Sequence, residues 1–430
     1  MKKYEKLICG LCIIVLLFSL FSTDVVQSKS LMNGNLIQQT EEEQNTGGDS
    51  TKESDKKSTE EKGTAKTPNL DITAQAAVLI EGSTGEILYE KNKDEQLRPA
   101  SITKIMTLLL IYEALEEGKI SLTDEVSVSE HAASMGGSQV FLEPFESQTV
   151  ETMLKCISIA SANDASVAMA EFLAGSEEEF VNRMNERAKE LGMNNTHFVN
   201  ACGLDEDNHY SSAYDVALMS RELIINHPEV SKFSTIWMDT FVHTTKKGKT
   251  EFGLTNTNKL IRTYDGITGL KTGSTKLAKY SLSATAKRNS MDLIAVVMAA
   301  PDYKIRFSEA SKLLDYGFAN CSVFADDNKD LKLEPLKIKK SVKDTLNCEV
   351  GETFSYICLK GVKKEDITKE VTINEEIVAP IAAGDKVGEV TYSLNGSTIG
   401  SVPIVATESI EKASYKDYFV KVLDYYFIKK

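Results

Sequence analysis

Apolar positions recur with four different rhythms along the chain, and each rhythm predicts a different element. Lys2, Lys3 and Lys6 are followed by an apolar run from Leu7 to Phe21. That run is short for a membrane span and suits the core of an export signal, with cleavage placed near Ser28. Cys12 follows Leu11 rather than a small residue, so no lipoprotein site is read. From about Asn33 to Pro68 the chain is rich in Thr, Ser, Gly, Glu and Lys, which predicts a disordered segment across 29–71. It serves either as a spacer from a surface or as a leader without a role.

Order is expected from Ile72. Ala76–Glu81 and Glu86–Glu90 read as strands around the turn Gly82-Ser83-Thr84-Gly85, a hairpin. A helical period follows Ser101, with Ile105, Leu108, Leu109, Tyr112 and Leu115 on one stripe and Gly118 as its stop. Helical patterns then dominate from 101 to 175 and from 177 to 191. Strand patterns return near 269–271, 281–287 and 293–299, and a helix is predicted over Ile305–Tyr316. Strands at both ends with helices between imply one α+β domain, 72–321, whose sheet draws on distant parts of the chain. From 322 to 406 short strands and turns, including Leu394-Asn395-Gly396-Ser397, predict a small all-β module. A last helix is placed over 407–430, opened by Ser409. Tyr415, Tyr418, Phe419, Val422, Leu423, Tyr426 and Phe427 form one stripe, with Lys412, Lys416, Lys421, Lys429 and Lys430 opposite. Such a helix lies at a membrane interface or packs on the β module; its lysine end favours the membrane.

Composition narrows the function. The chain has 42% hydrophobic and 26% charged positions, a globular mix, and its net charge of −14 argues against nucleic-acid binding. Of the seven cysteines, Cys9 and Cys12 would leave with the signal. The other five are odd in number and scattered, which excludes a full disulfide framework. Cys348 and Cys358 either pair or remain two buried thiols. Neither cysteines nor histidines show metal-ligand spacing, so no metal and no cofactor are expected.

Three motifs carry the chemistry. Ser-x-x-Lys occurs three times, at Ser54–Lys57, Ser101–Lys104 and Ser409–Lys412. Only the second opens an apolar helix, which places Ser101 at a helix start and Lys104 one turn on. The helix dipole there favours developing negative charge, and burial together with that field should lower the Lys104 pKa. Ser161-Ala162-Asn163 and Lys271-Thr272-Gly273 follow in order, with domain-scale gaps. The set matches serine acyl-transfer enzymes that handle D-alanyl peptides and penicillins. In that reading Ser101 is the nucleophile, Lys104 its base and Ser161 a proton relay to the leaving amine. Asn163 would bond the substrate amide, while Lys271 and Thr272 would clamp a terminal carboxylate. Gly273 would let substrate pass beside an edge strand, and the backbone N–H groups of Ser101 and Ser274 would form an oxyanion hole.

The chain resembles the D-alanyl-D-alanine carboxypeptidases of the low-molecular-mass penicillin-binding proteins, in particular their sporulation-associated branch. The resemblance runs from about residue 72 to the end. It is carried by Pro99-Ala100-Ser101-Ile102-Thr103-Lys104, by 131–138, by 209–215 and by Gly269-Leu270-Lys271-Thr272-Gly273. It implies a penicillin-binding, serine β-lactamase-like domain of antiparallel sheet and helical cluster, a C-terminal β domain and an anchoring tail helix. Peptidoglycan stem peptides and β-lactam antibiotics are the implied partners, at the outer face of the cytoplasmic membrane. Arg306 falls where the family carries an arginine near the substrate carboxylate. Two departures stand out: Ala162 where glycine is usual, and Ser274 where relatives often carry a larger side chain. A β-lactamase would need a further base for deacylation, and no glutamate stands at the class A spacing. A non-catalytic, penicillin-sensing wall-binding module would not need Ser101, Lys104 and Lys271. Other residues read as structural: His131 and His209 in loops or helix starts, Ser212 with Asp215 as a capping box, Trp237 and the Met153–Met169 stripe as core, and Lys246 with Lys247 as a solvated hairpin.

Overall fold

The computed structural model describes residues 69–427 except 247 and 360. The expected signal, and the spacer up to residue 68, lie outside the described residues. Five antiparallel strands form the central sheet: β1 (Ala76–Glu81), β2 (Ile87–Lys91), β3 (Ile267–Thr275), β4 (Lys279–Arg288) and β5 (Met291–Ala300), in the order β2-β1-β5-β4-β3. β1 and β5 read as nearly unbroken apolar runs because both faces of the sheet are covered. Val78, Ile80, Ile294 and Val296 pack on a helical cluster with Ile105, Met106 and Leu109. On the other face Leu79, Leu293 and Val297 meet Ala310, Leu313 and Leu314.

The helical cluster comprises α1 (Lys104–Glu116), α2 (Val150–Ile159), α3 (Asn163–Ala174), α4 (Glu177–Glu190) and α5 (Ala213–Asn226); α6 (Tyr303–Asn320) covers the far face. α1 is buried on nearly every side, Lys104 and Thr107 included, so its apolar stripe understates its environment. The helical stretch expected from 101 to 175 is interrupted by a paired ladder, Glu125–Ser127 with Ser147–Thr149. Three residues per strand are too few to register a period of two. Met153 and Met169 are core residues, as expected. Trp237 is not: it is half-buried, and the Arg262 guanidinium stacks 5.2 Å from its ring. Ser212 caps α5 by accepting the Asp215 N–H at 3.1 Å, but the Asp215 carboxylate turns to Asn195 N–H and the Thr196 hydroxyl, so the capping box is half made. Lys246 is exposed at the tip of the hairpin Met238–Thr245 and Gly248–Thr255.

Cys321–Asp326 pairs with Phe354–Leu359 directly after α6. A four-stranded antiparallel sheet follows, built from Cys348–Val350, Ser397–Ala406, Lys386–Leu394 and Ile367–Ile373 in spatial order. Its core stacks Phe354 on Tyr392, ring centroids 3.8 Å apart. All five described cysteines are free thiols; Cys348 lies opposite Ala406 and Cys358 opposite Ser322, and only Cys358 of that pair is buried. α7 (Tyr415–Phe427) ends the described chain and starts at Tyr415 rather than at residue 407. Ser414 caps it through the Asp417 N–H, whereas Ser409 accepts the Ala383 N–H instead. No described helix is long and apolar enough to cross a membrane.

Candidate active site

Ser101 sits in a single 3-10 turn, Ala100–Thr103, that runs straight into α1. Lys104, the first residue of α1, is fully buried, and its Nζ has three neighbours. It lies 3.2 Å from Ser101 Oγ, 2.6 Å from Asn163 Oδ1 and 2.6 Å from the Cys202 carbonyl oxygen. Two of these partners can only accept. A neutral amine therefore spends both N–H groups on Asn163 and Cys202, which turns its lone pair towards the Ser101 hydroxyl proton. Burial makes the neutral form accessible, holding the amine down at about 8; Cys202 and Asp164 oppose that shift weakly.

Asn163 opens α3 and is itself fixed: its Nδ2 donates to the Gly136 carbonyl at 2.7 Å and its backbone N–H to the Ser138 carbonyl at 2.7 Å. In this structure the amide thus orients the lysine, a task beyond the substrate contact expected for it. Ser161, two residues earlier, is buried with φ +60 and accepts from Lys271 Nζ at 2.8 Å. Lys271 also donates to the Thr272 carbonyl at 3.0 Å. Its amine is held well below the usual lysine range, first by burial and then by the nearby charges of Lys104 and Arg306. Among the described residues, Lys104, Lys271 and Arg306 have no carboxylate among their hydrogen-bond partners, which leaves this cluster chemically suited to an anion.

β3 is the edge strand that brings the third motif alongside the turn that carries Ser101. The Thr272 hydroxyl donates to Thr257 Oγ1 at 2.7 Å. Packing gives a further reason for glycine at 273. A Cβ there would lie 2.6 Å from the Pro99 carbonyl oxygen and 3.0 Å from Ile102 Cγ1, so glycine lets β3 press against the turn that carries Ser101. Ser274 is exposed opposite Tyr280 on β4. Arg306, from α6, reaches across β4 to donate to the Gly273 carbonyl at 3.1 Å and the Ser281 carbonyl at 3.3 Å; its buried Nε has no partner among the described residues. Burial lowers the guanidinium to about 10.

Hydrogen bonds join Lys104 to Ser101 and Asn163 and join Lys271 to Ser161, while Arg306 reaches the strand backbone at Gly273 and the Ser274 side chain is exposed. The sequence reading missed the loop 200–204, which supplies the Cys202 carbonyl. Asn200 Oδ1 accepts from the N–H groups of Cys202, Gly203 and Leu204, curling that loop beneath Lys104. It also gave His209 no particular role. Its Nδ1 accepts the Val199 N–H, so its Nε2 carries the proton and donates to Thr103 Oγ1 at 2.8 Å. Burial lowers this imidazole to about 4, keeping it neutral while it ties the 100–103 turn to the 199–209 segment. His131 instead faces Glu171 and Glu177 at the surface.

Comparison with known proteins gives the family. Residues 61–302 match the family model described as D-alanyl-D-alanine carboxypeptidase, and 323–412 match the C-terminal domain of penicillin-binding protein 5. The chain is 45% identical over 358 residues to the D-alanyl-D-alanine carboxypeptidase DacF of Bacillus subtilis, covering 83% of this chain and 91% of that one. Penicillin-binding protein 5 from Haemophilus influenzae superposes with a TM-score of 0.68 at 32% identity, over 81% of this chain and 100% of that one. A Listeria monocytogenes penicillin-binding protein solved in its ampicillin-bound form gives 0.52 at 33% identity, over 58% of this chain and 100% of that one. With an α+β domain and an all-β domain both accounted for, the chain belongs to the D-alanyl-D-alanine carboxypeptidase family of serine hydrolases.

Proposed function

We propose that the chain removes the terminal D-alanine from peptidoglycan stem pentapeptides through an ester on Ser101. Lys104 takes the Ser101 hydroxyl proton as the oxygen attacks the penultimate D-alanine carbonyl. The tetrahedral oxyanion faces the backbone N–H groups of Ser101 and Ser274. Collapse breaks the amide C–N bond, and the Ser161 hydroxyl, held by Lys271, gives its proton to the leaving nitrogen and is reprotonated through the lysines. Lys271, Thr272 and Arg306 hold the substrate carboxylate. Water then attacks the ester, returning free Ser101 and the shortened peptide. One observation carries the reading: the buried Lys104 amine, with both N–H groups committed to pure acceptors and its lone pair left for Ser101.

Incubation with penicillin, followed by peptide mass spectrometry, should find one adduct on Ser101. Ser101→Ala should lose both the adduct and D-alanine release from a pentapeptide. An adduct elsewhere, or release by the variant, would end the proposal, and rapid penicillin turnover would favour the β-lactamase reading. The ampicillin-bound relative supports the choice of penicillin as probe.

α7 is assigned to the membrane interface outside the cell. Only Asp417 and Lys421 are half-buried among its side chains described, Lys421 through its pair with Asp344 at 2.7 Å. Phe419, Val422 and Phe427 remain 50%, 54% and 78% exposed, more than packing on the β domain would allow. Phe419→Asp combined with Phe427→Asp should abolish co-sedimentation with anionic vesicles while leaving D-alanine release intact. Unchanged sedimentation would refute the assignment.

A further inference from the structure

Asp164 follows Asn163 at the start of α3 and is fully buried, yet among the described residues no cation reaches it within hydrogen-bonding distance. Its partners are all backbone N–H groups. Val140 donates to it at 3.1 and 3.3 Å, Leu142 at 3.1 Å and Ala165 at 3.0 Å. Between the two clamped loop residues stands Phe141, with φ +60 and 62% of its surface exposed. A bulky residue in the left-handed region costs on the order of 1 kcal/mol and persists only where its neighbours dictate it. Here one carboxylate draws in the amides on either side.

The clamped stretch continues directly into Gly136–Ser138, three exposed residues outside any helix or strand. The Gly136 carbonyl nevertheless accepts from the Asn163 side-chain amide and the Ser138 carbonyl from its backbone N–H. The Gly136 oxygen can only accept, so it selects the amide orientation that turns Oδ1 towards Lys104. A flipped amide would set an NH2 group against the Lys104 amine and redirect its lone pair away from Ser101. We propose that Asp164 is a positioning residue for acyl transfer, holding the 136–142 segment so that Asn163 points its oxygen at Lys104. The proposal rests on the acyl-enzyme reading above.

Asparagine at this position would present an NH2 group where only N–H donors converge. Asp164→Asn should fold with a full penicillin-titratable population of sites but acylate each site about 10- to 100-fold more slowly. A residue that merely stabilised the fold would lower the titratable fraction and leave the rate per site alone. Gly137→Ala tests the same segment without touching the carboxylate, because its Cβ would lie 2.9 Å from Asn163 Nδ2. It should slow acylation similarly, and it alone decides the matter if Asp164→Asn does not fold. Wild-type rates per titrated site in the folded variants would overturn the proposal. A wild-type protein that forms no adduct on Ser101 would instead overturn the acyl-enzyme reading itself.

Discussion

Lys104→Met is expected to slow acylation of Ser101 at neutral pH by about 10²- to 10⁴-fold, the range that a positioned base contributes. Methionine fills similar space, so the packing of α1 survives. Two acceptors, Asn163 Oδ1 and the Cys202 carbonyl, lose their donor, a cost of about 1–3 kcal/mol each. Removing a fully buried amine offsets part of that cost, so the thermal midpoint should move little compared with the rate. The wild-type pH profile carries the same signature. Burial lowers the amine to about 8, so its basic form is scarce below that pH and dominant above it. Acylation by penicillin should therefore rise about tenfold per pH unit from 6 towards 8, then level off. Stopped-flow acylation across that range, in wild type and variant, is the measurement. A variant that keeps the wild-type rate, or a profile flat from 6 to 8, would remove Lys104 from its role.

Gly203→Ala should produce the largest loss from a single added methyl group. The new Cβ would sit 1.9 Å from the Ala100 carbonyl oxygen and 2.4 Å from its carbon. Both are backbone atoms of the turn that carries Ser101, and they cannot swing aside as a side-chain tip could. Gly203 also has φ +86, which disfavours any L side chain. Overpacking and left-handed strain together should destabilise the protein by about 2–4 kcal/mol. Displacing Ala100 by even 1 Å should cost roughly 100-fold in acylation, because Ser101 moves with it. Thermal denaturation and penicillin burst kinetics read the two effects separately. An unchanged midpoint with an unchanged burst rate would show that the loop 200–204 does not brace the nucleophile.

Much of this protein is written locally. Apolar rhythm is enough to mark the β1–β2 hairpin, α1, β3 to β5 and the exposed aromatic stripe of α7, because side-chain period and turn residues are properties of short segments. Ser101, Lys104, Ser161, Asn163 and Lys271 are legible for a related reason: the proposed reaction asks each of them for its own side-chain chemistry, and that chemistry is spelled in residue types. Groups supplied by the main chain leave no such mark. The Cys202 carbonyl that accepts a hydrogen bond from Lys104, and the Gly136 carbonyl that orients Asn163, would look the same in sequence with almost any side chain attached. Gly203 and Gly273 are visible as glycines, but what each makes room for is decided by a strand and a turn far away along the chain. Distance between segments is a property of packing alone, and so the tertiary fold had to decide where the lone pair of Lys104 points.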